Sequence, residues 1–147
     1  MPPLNLAYLI VLLITLPLAW VKGGAPERVG AAALLGAWML ALLFQDVTLG
    51  KTYVGEAGVD LALTGVFVWL VATRRRWWLL AALALMVLTL AVHLATVFLP
   101  ELSPRGDRVA RMALGLVLTL TLLAGVLERW LSGEPPVRGF GFGRIVT

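Results

Sequence analysis

Residues 71–80 read VATRRRWWLL: three arginines and two tryptophans between two of the most apolar runs in the chain. A nucleic-acid patch, a basic catalytic site and a membrane boundary are the three contexts that produce such a stretch. The flanking runs decide between them. Residues 77–99 supply the roughly 20 apolar residues that a hydrocarbon core of about 30 Å requires, and 53–73 match that length as the weakest span, with Glu56 and Asp60 at its start and a solidly apolar part from Leu61. Arg74, Arg75 and Arg76 with Trp77 and Trp78 therefore read as a hairpin turn, arginines among the lipid headgroups and indoles just beneath them.

Working outward from this turn, the same pattern repeats. Further apolar runs cover residues 4–21, 29–47 and 109–131, so the sequence predicts an all-α, polytopic membrane bundle of about five transmembrane helices. The breaks KGGAPERVG, TLGKTYVGEAG, TRRRWW and PELSPRGDR gather most of the charges and prolines. Loops this short make neighbouring helices antiparallel. Residues 1–132 are expected to form the bundle and 133–147 a Gly/Phe/Arg tail. The first run lacks a Lys or Arg before Lys22, which argues for a retained span over a cleaved signal peptide.

Composition agrees with this reading and removes several chemistries. The 147 residues are 61% hydrophobic and 14% charged, with mean hydropathy +0.95 and a pI near 10.4. That balance leaves no room for a soluble domain. The formal charge of +4 sits beside apolar runs, so anionic lipid and not nucleic acid is the expected counter-charge. With no cysteine, disulfides and thiolate chemistry are excluded.

Orientation follows from the basic residues. With the N-terminus outside, the inner side holds Lys22, Arg28, Arg74, Arg75, Arg76, Arg129, Arg138 and Arg144, and the outer side only Lys51, Arg105, Arg108 and Arg111. The cytoplasmic side takes that excess. Trp20, Trp69, Trp77, Trp78 and Trp130 all fall at the same predicted inner ends, as an interfacial belt. Short basic turns in an Ala/Leu-rich chain resemble those of bacterial inner-membrane proteins, so that membrane is the expected location, with the C-terminus cytoplasmic.

Intramembrane ionisable groups cost about 2.5 to 3.5 kcal/mol at mid-span, so each one kept there needs a reason. His93 shares a helix face with Thr89 and Thr96, and Asp60 shares one with Thr64. Counting from the arginine turn at 1.5 Å per residue, Asp60 and His93 differ in depth by roughly 5 Å, within side-chain reach. Asp46, Glu56 and Arg111 fall near the same level. The expectation is an outer polar cluster in which Asp60 and His93 clamp two helices, with proton or ligand handling as the functional alternative. No metal spacing, nucleophile elbow or phosphate loop accompanies it, so no catalytic residue, metal or cofactor is expected.

Two features suggest partners. Ala32 and Gly36 form a small-xxx-small edge that admits a neighbouring helix, from this chain or another. In the tail, Phe140 and Phe142 between Arg138 and Arg144 suit a partner groove or the lipid surface. These expectations make the protein a non-catalytic accessory or scaffold subunit of a larger inner-membrane complex, bound to lipid and to other subunits or copies of itself. The alternative is a small transporter or proton-handling protein using His93 and Asp60.

Overall fold

Each break in hydropathy becomes a turn in the computed structural model, which describes residues 2–44, 46–48, 53–98 and 104–134. Among these residues there is no strand; the elements are α1 (Pro2–Lys22), α2 (Ala25–Phe44), α3 (Val54–Thr73), α4 (Trp77–Phe98) and α5 (Pro104–Leu131). At 1.5 Å per residue, the 20 residues of α2 span about 30 Å. Among the described residues, four helices are long and apolar enough to cross a membrane: α2, α3, α4 and residues 106–131 of α5. In α1 the apolar stretch among the described residues is Leu6–Lys22.

Sterics and capping explain the boundaries. α1 and α2 are joined by Gly23 and Gly24 alone, and a Cβ on Gly23 would stand 2.2 Å from the Ala19 carbonyl oxygen. Only glycine fits there. The helix α2 starts at Ala25, earlier than the expected residue 29, because Pro26 suits a first helical turn, where its missing N–H has no intrahelical partner. Pro104 opens α5 for the same reason, five residues before the hydropathy rise at 109. The far end of α5 closes through Gly133 at φ 72°. Its N–H donates to Trp130 O and that of Glu134 to Arg129 O, the paired bonds of a Schellman stop.

The core is a single apolar column. Leu34 of α2, Leu63, Phe67 and Leu70 of α3, Trp78, Leu79 and Met86 of α4, and Leu118, Leu122 and Val126 of α5 are all buried. Residues of all five helices join this core or pack against it. Outside it the bundle is also apolar: Leu13, Leu43, Leu61, Leu80, Leu94 and Phe98 are among many exposed large hydrophobic side chains. An exterior of this kind suits lipid and not water. The chain is an all-α, polytopic membrane bundle.

Direction follows from the contacts. Tyr8 lies beside Gly115, and the Lys22 ammonium lies 5.0 Å from the Trp130 ring centroid, so α1 runs parallel to α5. The ends of α1, α3 and α5 and the starts of α2 and α4 therefore share one face of the membrane, called here the arginine-turn end. The other face is called the opposite end.

Candidate functional site

At the opposite end the organising element is the first half of α3. Tyr53, Glu56 and Asp60 follow one another at three- and four-residue spacing, which aligns them on one helical face. Two carboxylates a turn apart repel each other, so each needs a hydrogen-bonding or cationic partner. Different helices supply them. Asp60 Oδ2 lies 2.9 Å from His93 Nε2 on α4, while Glu56 accepts from the Arg111 guanidinium on α5. Arg111 also donates through Nη2 to Asp107 Oδ2 at 2.8 Å, and Arg108 Nη2 reaches the Tyr53 hydroxyl at 3.3 Å. The α3 acidic face thus ties α4 and α5 together.

The contact between His93 and Asp60 is partly shielded, with side-chain exposures of 7% and 25%. In either protonation state, an imidazole carrying its proton on Nε2 donates to the Asp60 carboxylate. The pair can hold helix register or carry a proton. The threonines expected beside it do something else: Thr64 donates to Asp60 O at 2.7 Å, Thr89 to Leu85 O at 3.0 Å and Thr96 to His93 O at 2.7 Å. Each satisfies its hydroxyl on its own helix, a common intramembrane solution. Asp46 is exposed in the turn after α2 and joins no ion pair among the described residues.

The arginine-turn end holds a second cluster that hydropathy alone does not reveal. Glu27 is 0% exposed. Its Oε2 accepts from Gly24 N at 2.8 Å and its Oε1 from Trp78 Nε1 at 3.1 Å. A Cβ on Gly24 would fall 2.6 Å from Arg129 Nη1 and 2.9 Å from Glu27 Oε2, so the guanidinium and carboxylate close over a bare backbone. Around this centre Trp77 Nε1 donates to Glu128, and Glu134 pairs with Arg76 and, at 3.0 Å, with Arg129 Nη1.

Trp78 corrects an expectation. It is not an interfacial residue: it is fully buried, edge-on to Phe67 with ring centroids 6.4 Å apart. Neighbouring glycines make the space, since a Cβ on Gly125 would lie 2.5 Å from Trp78 Cδ1 and one on Gly30 3.1 Å from Cη2. Adjacent helical residues point about 100° apart, so Trp78 can turn to the core while Trp77 faces outward. That geometry, with two glycines and one acidic residue inside otherwise apolar helices, was the available signal for the Glu27 centre. Trp20, Trp69, Trp77 and Trp130 do stay exposed at this end, as do Arg74 and Arg75.

The small-residue edge divides. Ala33 and Ala37 pack against the core, whereas Ala32 is exposed and a Cβ on Gly36 would meet nothing within 4 Å. The pairing of Ala32 with Gly36 is thus not used among the described residues. Phe140, Phe142, Arg138 and Arg144 lie outside the described residues. Among those described, no three His, Cys, Asp or Glu side chains converge as metal ligands. No protein-family model matches the chain, nor does any curated protein or solved structure.

Proposed function

We propose that the protein is a non-catalytic accessory or scaffold subunit of a larger complex in the bacterial inner membrane, with its N-terminus outside and C-terminus cytoplasmic. The observation that supports this reading is where the charges inside the helices go. Glu27 bonds to α4, Asp60 to His93, and Glu56 to Arg111, each on another helix of the same chain. Groups engaged in helix-to-helix contacts fix a shape, and a fixed shape with an apolar exterior is what a scaffold contributes. The unused Ala32 and Gly36 edge adds a place where a neighbouring helix approaches closely.

Purification in mild detergent followed by mass spectrometry tests the proposal. Discrete stoichiometric partners are the expected result. The tail supplies a sharper version: replacing Phe140 and Phe142 with Ala should lower partner recovery while the bundle stays folded. Anchor residues commonly cost about 2 kcal/mol or more on truncation, roughly a thirty-fold loss of affinity. Unchanged recovery removes the tail as the docking element. A clean monomer retaining a solute favours the second reading, proton or solute handling at His93 and Asp60, which the 2.9 Å contact supports. Asp60→Asn would then abolish pH-driven flux in vesicles.

A further inference from the structure

The pair formed by Asp60 and His93 sits asymmetrically along the bundle. Asp60 is six residues from the start of α3 and His93 five from the end of α4, about 9 and 8 Å at 1.5 Å per residue. Towards the arginine-turn end the same helices run on for 13 and 16 residues, about 20 and 24 Å. The short side is polar. One turn nearer the opposite end, Glu56 shares a face of α3 with Asp60, and each carboxylate is 25% exposed. Glu56 pairs with Arg111, which also holds Asp107 in the first turn of α5. Beyond them the exposed Arg108 reaches the Tyr53 hydroxyl. Titratable and charged groups therefore follow one another from the pair to the helix ends. From α1, Tyr8 lies within the field of Asp60. The helix α2 brings no charge to this level, because Glu27 and Arg28 stand in its first turn.

The long side is closed. Phe67 and Leu70 of α3, Leu79, Ala82 and Met86 of α4 and Leu122 of α5 are each at most 2% exposed and belong to one packed core. The hydroxyls between this column and the pair are spent on their own helices: Thr64 on Asp60 O, Thr89 on Leu85 O and Thr119 on Gly115 O. On α4 the next buried polar side chain after Thr89 is Trp78, 11 residues on and about 16 Å away. Its Nε1 is engaged by Glu27. On α1 the buried Thr15 is followed one turn on by Ala19, also closed to solvent. Protons move through proteins along chains of hydrogen-bonding groups. Close-packed apolar side chains supply no such group and leave little space for one.

We propose that Asp60 and His93 form a one-sided proton site: it exchanges protons with water at the opposite end, past Glu56 and Arg111, and is sealed from the arginine-turn end by the column from Met86 to Leu79. The pair then reports the pH of one compartment and is blind to the other. The assignment is independent of the subunit reading. For the proton-handling reading it confines exchange to one face of the membrane.

The test uses the full chain in sealed lipid vesicles, sorted by a histidine-free affinity tag at the C-terminus. Captured vesicles have the arginine-turn end facing the bath; those left behind have the opposite end facing it. His93 is the only histidine, so isotope-labelled histidine gives its ring bands alone in infrared difference spectra. The bath is jumped from about pH 8 to about pH 4, across the ordinary imidazole and carboxylate ranges, and spectra are taken before the gradient decays. The ring bands should change in the vesicles left behind and stay unchanged in the captured ones. A response in the captured vesicles, or in neither population, overturns the proposal. The gradient, followed with a dye in the lumen, should decay no faster than in protein-free vesicles. Faster decay breaks the seal and overturns one-sidedness in favour of transfer across the bundle, while the subunit reading stands or falls separately on co-purification.

Discussion

A carboxylate and an imidazole 2.9 Å apart between two helices stabilise the bundle only as a pair, because either one left alone in an apolar setting loses its partner. Asp60→Ala and His93→Ala should each destabilise the detergent-solubilised protein by roughly 0.6 to 2 kcal/mol, as intramembrane polar contacts do. The double variant should cost less than the two singles together in an unfolding titration, and strict additivity would mean that the contact contributes nothing. Glu134 gives a pH-dependent counterpart at the protein surface. Its hydrogen bond with Arg76 holds its carboxyl below the ordinary value, against an opposing desolvation and with further lowering from the charges of Arg76 and Arg129. A folded pKa lower than the unfolded one means that the stabilisation is present above the unfolded value and is lost as pH falls through the folded one. Hydrogen exchange at residues 74–76 should therefore quicken on acidification below the usual carboxylate range. Glu134→Gln should exchange faster at neutral pH and respond little to acid; an unchanged acid response would assign the effect to another group.

At the scale of the helix, the packing around Trp78 sets opposite expectations for two glycines. Gly125→Ala places a methyl 2.5 Å from a fully buried indole, and Trp78 is held by Phe67 and Glu27, so it has little freedom to yield. Overpacking of this kind costs about 1 to 3 kcal/mol. Gly36→Ala meets open space and should stabilise the isolated chain by roughly 0.5 to 1 kcal/mol through helix propensity alone. Thermal unfolding of both variants in one detergent checks the contrast, and equal effects would show that the packing around Trp78 is not tight. The elements themselves were legible in sequence because an apolar run of membrane length has few alternatives. Their ends were less so. Hydropathy marks where polarity changes, while helices α2 and α5 begin where Pro26 and Pro104 permit a first turn. Glu27 passes unnoticed in the sequence, and Trp78 is placed at the interface, for a related reason: composition puts an acid and an indole at a boundary, but only the angular position around each helix decides which face is buried. The pairing of Asp60 with His93 was readable because depth along antiparallel helices can be counted, whereas the link from Glu56 to Arg111 depends on which helices are neighbours.

For the whole molecule, the first apolar run is the shortest of the five, and the sequence sets a cleaved signal peptide against a retained span there. The packing bears directly on that choice. From Tyr8 beside Gly115 to Lys22 over Trp130, α1 follows α5 for 15 residues of the latter, about 22 Å at 1.5 Å per residue. A helix lying flat on the membrane surface cannot accompany a spanning partner over that depth. Buried Leu12, Thr15 and Ala19 line its inner face, whereas Leu13, Ile14 and Val21 are exposed, the division expected of a peripheral transmembrane helix in contact with lipid. On the proposed orientation, in which the end richer in Lys and Arg is inside, reporter fusions at residues 50, 75 and 103 should read outside, inside and outside. Those three alone do not test α1, because they keep their sides if it folds back. An N-terminal tag does: it should be accessible from outside in intact cells. A tag found inside while residue 50 reads outside would leave four crossings and separate α1 from α5, contradicting the alignment of Tyr8 with Gly115 and of Lys22 with Trp130.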